Sequence, residues 1–188
     1  MSGQPIGERL NFTDYLDSTV TNTEWSNGRE LAMFLSNAGL TLSVMESVTG
    51  GGVARQLVEH PGASAYFLGG VVAYNTRLKL QYAGVSPRLI AQHGEVSPEV
   101  TTAMAQGIRT QTKSDIGIAT NGIAGPANQQ FSDDQSGTVF LSWNIRDTLV
   151  KTKRFKIDGS RKNVINTTVS IALFLCLNYV KQYFNRKD

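Results

Sequence analysis

The chain has 188 residues, the size of one ordinary domain, and 40% hydrophobic with 18% charged residues is the composition of a globular protein with a real core. Its formal charge of +3 comes from 18 basic and 15 acidic residues scattered along the chain. With one short basic cluster, Lys151 to Lys156, and no strong basic patch with interleaved aromatics, no nucleic-acid partner is expected.

The stretch from Met1 to about Thr23 is polar and carries no sustained hydrophobic period, so it reads as an extension that docks loosely or stays disordered, leaving 24–188 as a single domain. Leu31, Phe34, Leu35 and Ala38 then fall at helical spacing, and Gly39 closes that helix. LTLSVM (Leu40 to Met45) alternates as a strand, and the glycines after it open a short helix ending at His60-Pro61-Gly62. YFLGGVVAYN (Tyr66 to Asn75) is a nearly continuous apolar run and predicts a central strand covered on both faces. A helix from Thr76 to Tyr82 follows. Ser97-Pro98-Glu99 gives an N-cap with proline in the first turn, starting a helix to about Thr110 in which Val100, Ala103, Met104 and Ile108 share a face.

DIGIAT (Asp115 to Thr120) is a further strand, and Asn121 to Ser136 is a long polar loop. TVFLSWN and LVKTKRFKI flank Arg146-Asp147 as a hairpin whose second strand is polar enough to lie at a sheet edge. A last helix starts near Ser160 and runs through Val180. Five strands interleaved with helices predict an α/β fold, a three-layer α/β/α sandwich with a mixed sheet. The start of the chain lacks the pattern of a secretory leader, and no apolar run approaches the roughly 20 residues of a membrane span, so a cytoplasmic protein without membrane partners is expected. Cys176 has no partner for an internal disulfide, and with two histidines it makes no metal set, so no metal or other cofactor is expected.

MESVTGGGVARQL (Met45 to Leu57) holds the chemistry. A strand ending at Glu46-Ser47-Val48-Thr49 and entering a helix through three glycines puts its side chains at the carboxyl end of the sheet, where open α/β sheets bind ligands. Glycines let the backbone approach a ligand, and amides at the helix start favour an anion or a developing oxyanion. Ser47 is a candidate nucleophile, and Thr49 a hydrogen-bonding neighbour. The same residues also fit an ordinary glycine turn with two capping hydroxyls.

ESVTGGGVARQL, PGASAYFLGGVVAYNTRLKLQYAGV, HGEVSPEV and NGIAGP occur in an order that resembles the signature blocks of the CinA C-terminal domain family, over roughly Glu30 to Phe184. The resemblance implies a sandwich fold, a homo-oligomer (a dimer or higher), and hydrolysis of the carboxamide of nicotinamide mononucleotide to nicotinate mononucleotide and ammonia, a step in recycling pyridine nucleotides. It also implies a serine and lysine pair assisted by a tyrosine and an arginine, which fall at Ser47, Lys79, Tyr74 and Arg161. Ser47 would attack, Lys79 would accept and return the proton, Tyr74 would steady the pair, and Arg161 would lower the proton affinity of Lys79 or orient substrate. A lysine acts as a base only when its pKa falls well below roughly 10.4, and burial or a neighbouring cation pushes it down. Glu46, Thr49, Gly50, Gly51, Asn121 and Gly122 would contact the substrate. Larger members carry an extra amino-terminal domain similar to molybdopterin-binding proteins, for which 188 residues leave no room.

The chain departs from the family pattern at four places. Val48 stands where cysteine is usual, Glu95 where alanine is common, and Asn121 where a hydroxyl residue commonly precedes GIAGP. ANQQFSDDQSGTV replaces a glycine-rich loop ending in KPVGTV. These changes keep open a second expectation, a paralogue with the same fold and a ligand pocket that serves as a nucleotide-binding or regulatory protein.

Overall fold

In the computed structural model, which describes residues 20–126 and 135–184, five strands form one sheet in the order β2-β1-β3-β4-β5. The elements in chain order are α1 (Val20–Ala38), β1 (Leu42–Glu46), α2 (Gly52–Val58), β2 (Phe67–Val72), α3 (Thr76–Ala83), α4 (Pro87–His93), α5 (Pro98–Thr112), β3 (Ile116–Gly122), β4 (Thr138–Ile145), β5 (Leu149–Lys156) and α6 (Arg161–Phe184). β1 pairs in parallel with β2 and β3, while β4 and β5 add as an antiparallel hairpin. The expected three-layer sandwich with a mixed sheet is the observed architecture.

Residue alternation along the strands sorts the core into two layers. Leu42 and Val44 of β1 and Ile116 and Ile118 of β3 face a cluster built from α1, α2 and α6. Met45 and Ala119, one residue out of phase, face a second cluster with Val100, Met104, Ala105 and Ile108 of α5 and Ala83 at the end of α3. The helices therefore lie on both sheet faces. The crossover from β1 to β2 runs over one face through α2, and the route from β2 to β3 runs over the other through α3 to α5. The chain thus turns opposite ways out of β1 and into β3, which opens a crevice beyond the carboxyl ends of those two strands.

Local chemistry fixes the helix starts. Asn75, Ser86 and Ser97 each accept a hydrogen bond from a backbone amide in the first turn, at 3.0, 3.2 and 3.3 Å. Pro87 and Pro98 occupy first-turn positions that need no donor. α4 went unread in the sequence although Ser86-Pro87 repeats the signal read at Ser97-Pro98. α6 is bolted to the sheet by Trp143, whose indole N–H donates to the Ala172 carbonyl at 2.9 Å and whose ring meets Tyr179 edge-on.

Four expectations need correction. The β2 run is an edge strand, not a central one, and its alternate residues Leu68 and Val72 are exposed. An apolar run reports burial of one face as readily as two when glycines fill the other positions. α1 begins at Val20, inside the stretch read as an extension, while residues 1–19 lie outside the described residues. β3 continues through Asn121 and Gly122, so these two belong to the sheet, and residues 127–134 of the expected loop lie outside the described residues. α6 is 24 residues long and apolar enough to meet the length and composition of a membrane span, contrary to the expectation that no run approaches it. Its Val164, Ile171, Leu173, Cys176 and Val180 are packed into the core.

Candidate active site

The crevice beyond β1 and β3 holds a cavity of about 200 Å³ lined by Ser47, Val48, Tyr74, Lys79, Glu95, Val96, Arg161 and the segment from Asn121 to Pro126. All four residues of the expected catalytic set reach it. Ser47 arrives directly from β1, and its amide extends the ladder by donating to the Thr120 carbonyl at 2.8 Å. Tyr74 lies just after β2, Lys79 projects from α3, and Arg161 opens α6.

Lys79 is only 1% exposed. Its ammonium donates to Glu95 Oε1 at 2.8 Å and to Asn121 Oδ1 at 3.2 Å. Burial lowers its pKa below the ordinary lysine value, opposed in part by the hydrogen bond and charge of Glu95. Glu95 answers in kind. Burial works to raise its carboxyl, but hydrogen bonds to Lys79 and Thr76 and the Lys79 charge outweigh it, so the group sits below the usual glutamate range. Asn121 closes the arrangement by donating from Nδ2 to the Glu95 carbonyl at 2.8 Å. Its Oδ1 also accepts from the Gly122 amide at 3.1 Å.

The Ser47 hydroxyl has no hydrogen-bond partner among the described residues, so the lysine of the expected pair is engaged elsewhere in this structure. On the other wall, Arg161 donates from Nη2 to the Tyr74 hydroxyl and from Nη1 to the Gly125 carbonyl, both at 3.0 Å. In this structure the Tyr74 hydroxyl thus bonds to Arg161, and no hydrogen bond joins it to Ser47 or Lys79. Of the two expected causes of a lowered Lys79 pKa, burial acts here, and Arg161 is engaged with Tyr74 and Gly125.

The turn residues behave differently from expectation. Glu46 is buried, and its carboxylate collects the Gly51 and Val53 amides at 3.0 Å, the Ala54 amide at 2.8 Å and the Thr49 hydroxyl at 2.6 Å. The protein itself thus supplies the anion at the start of α2. Thr49 is also tied to Thr120 at 2.6 Å, and the Gly50 amide donates to the Ser47 carbonyl at 3.2 Å. Glu46, Thr49, Gly50 and Gly51 do not line the cavity, whereas Asn121 and Gly122 do. The reason is strand parity: Glu46 and Thr120 point to the α2 face, and Asn121 points to the α3 face.

Sequence reasoning passed over Glu95 as a site residue, although it noted the charge there. The available signal was Lys79, since a lysine that stays charged when buried needs a carboxylate partner. Val96 and Ile123 to Pro126 were also missed, and these are uncharged residues that carry no chemical signature.

The architecture is shared with solved structures. A competence or damage-inducible protein from Enterobacter asburiae superposes with a TM-score of 0.79 at 30% identity, covering 84% of this chain and 98% of that one. A CinA superfamily protein from Enterobacter cloacae gives 0.77 at 27% identity, covering 95% and 98%. In sequence, a competence-damage inducible protein of Moorella thermoacetica is 39% identical over 170 residues, which are 90% of this chain and 39% of that protein. A CinA-like protein of Geobacter sp. strain M21 is 39% identical over 153 residues, 81% of this chain and 36% of that protein. The chain thus spans well under half the length of these curated relatives. The CinA C-terminal domain family matches residues 26–180, and the chain belongs to that family.

Proposed function

We propose that the chain is a serine amidohydrolase that cleaves the carboxamide of nicotinamide mononucleotide. One observation carries the reading: a fully buried lysine with lowered proton affinity shares a cavity with a serine whose hydroxyl is unengaged. Neutral Lys79 takes the proton as Ser47 Oγ bonds to the carboxamide carbon. Collapse of the tetrahedral adduct breaks the C–N bond, and Lys79 returns that proton to the departing NH2, which leaves as ammonia. Water then attacks the nicotinoyl ester with Lys79 taking its proton. Cleavage of the ester bond gives that proton back to Ser47 and releases nicotinate mononucleotide. The Arg161 guanidinium, held by Tyr74 and Gly125 at the cavity wall, supplies a cation suited to an anionic nucleotide.

The test is ammonia release from nicotinamide mononucleotide by the purified protein beside Ser47→Ala and Lys79→Ala. The expected result is turnover by the parent protein and a loss of at least about a thousandfold in both variants, the scale of removing a nucleophile or its base. A second reading has its own observation, since the Lys79 ammonium is held by Glu95 and Asn121 and not by Ser47. A folded parent protein that binds the nucleotide without releasing ammonia supports that reading, a nucleotide-binding or regulatory protein.

A further inference from the structure

Lys79, Glu95 and Asn121 form a closed triangle drawn from α3, the α4–α5 connection and β3. Its sides are the 2.8 Å Lys79–Glu95 ion pair, the 3.2 Å Lys79–Asn121 hydrogen bond and the 2.8 Å bond from Asn121 to the Glu95 carbonyl. Glu95 is held at both ends, its carbonyl by Asn121 and its carboxylate by Lys79. It follows Gly94, at φ +80°, and precedes Ser97, the N-cap of α5, so the backbone on either side is also committed.

A surface ion pair would mean little, but one partner here is fully buried and the other about three-quarters buried. An ammonium has three donors, and two are taken, by Glu95 and Asn121. The remaining charged and titratable groups around the cavity do not compete for Lys79. Arg161 and Tyr74 bond each other on the far wall, and His93 and Glu99, on the helices flanking Glu95, pair with each other at 3.6 Å. Glu95 is thus the one carboxylate that Lys79 meets among the described residues.

We propose that Glu95 is a positioning residue that, with Asn121, clamps Lys79 in its protonated form and so sets the pH at which this lysine becomes available as a base. The inference deepens the amidohydrolase reading and rests on it for its catalytic meaning. A serine can hand its proton only to a neutral amine, so a carboxylate that stabilises the ammonium withholds the base until the pH is high enough or the ion pair is parted. Burial alone would free the lysine at a lower pH, and the Glu95 charge works against it. Removing that charge while keeping the shape leaves burial opposed by neutral hydrogen bonds alone.

The experiment follows the Lys79 side chain by NMR in the whole protein with its lysines labelled at the terminal carbon, the signal being assigned by its absence in Lys79→Met. Its titration midpoint is compared in the parent chain, Glu95→Gln, Glu95→Ala and Glu95→Asp. The midpoint is expected to fall by about one pH unit or more, a tenfold or larger loss of proton affinity, in both neutral variants, and to stay near the parent value in the aspartate variant. The acid limb of kcat/KM for amide hydrolysis moves down the pH axis in parallel with it. A midpoint unchanged in both neutral variants overturns the proposal, as does a fall in rate with the limb unmoved, which would assign Glu95 a purely structural part. If no form releases ammonia, a displaced midpoint still establishes the clamp, and only the amidohydrolase reading fails.

Discussion

Glu46 and Ser47 are neighbours with opposite duties. The carboxylate of Glu46 turns to the α2 face and accepts from three amides and the Thr49 hydroxyl, while Ser47 lines the cavity. Glu46→Gln removes the charge and sets an NH2 group among donors. It is expected to destabilise the fold by about 2–4 kcal/mol, read as a lower midpoint in urea unfolding. That division was legible in principle, because side chains alternate along a strand and adjacent residues cannot share a face. The glycines drew the sequence reading toward an open anion site and away from the acid that fills it. The pairing of Lys79 with Glu95, 16 residues later, was not legible, since it depends on how the α4–α5 connection folds over α3.

At the scale of elements, the position of Lys79 depends on how closely α3 and α5 approach. A Cβ at Gly107 in α5 would lie 2.0 Å from the Ala83 carbonyl oxygen, which belongs to backbone and cannot turn aside. Gly107→Ala is therefore expected to push α3 away from α5, costing about 1–3 kcal/mol in urea unfolding. On the proposed amidohydrolase reading it should also lower amide hydrolysis by the folded protein, since Lys79 moves with its helix. The helices themselves were legible wherever cap and period agreed, as at Ser97-Pro98. β2 was not, because FLGGVV reads the same at the centre of a sheet as at its edge. The opposite edge was legible, since Lys151, Lys153, Arg154 and Lys156 on β5 are the charges that edge strands carry to discourage pairing.

For the molecule as a whole, Asp115 links the two ends of the sheet's history. Oδ2 accepts from the Thr41 amide at 2.9 Å and from its hydroxyl at 3.0 Å, and Oδ1 accepts from Arg146 Nε in the β4–β5 turn at 2.8 Å. Burial works to raise the Asp115 carboxyl, but the Thr41 amide, Arg146 and the Thr41 hydroxyl outweigh it and hold it below the ordinary aspartate value. A carboxylate lowered on folding contributes stability above its unfolded pKa of roughly 3.9 and loses it as the pH falls through the folded value. Glu95, also lowered, has the same sign. The urea midpoint is therefore expected to drop between about pH 5 and pH 2, and to drop less in Asp115→Asn. The mixed sheet was legible from the alternation of strands and helices. The order β2-β1-β3-β4-β5 was not, since it is set by which face each crossover takes.

That order has a consequence for biosynthesis. Ser47, Lys79, Glu95 and Asn121 emerge from a ribosome before β4, β5 and α6 exist, yet the layer behind Ser47 is finished only when Val164, Val169 and Leu173 of α6 pack against α2 and the strands. Gly52, where a side chain would strike Val169 at 2.7 Å, shows how closely this last helix is seated beneath the serine turn. A nascent chain therefore carries Ser47, Lys79, Glu95 and Asn121 before the helix that floors them has been made. On the proposed amidohydrolase reading, activity regained during refolding should appear with the burial of Trp143, which α6 covers.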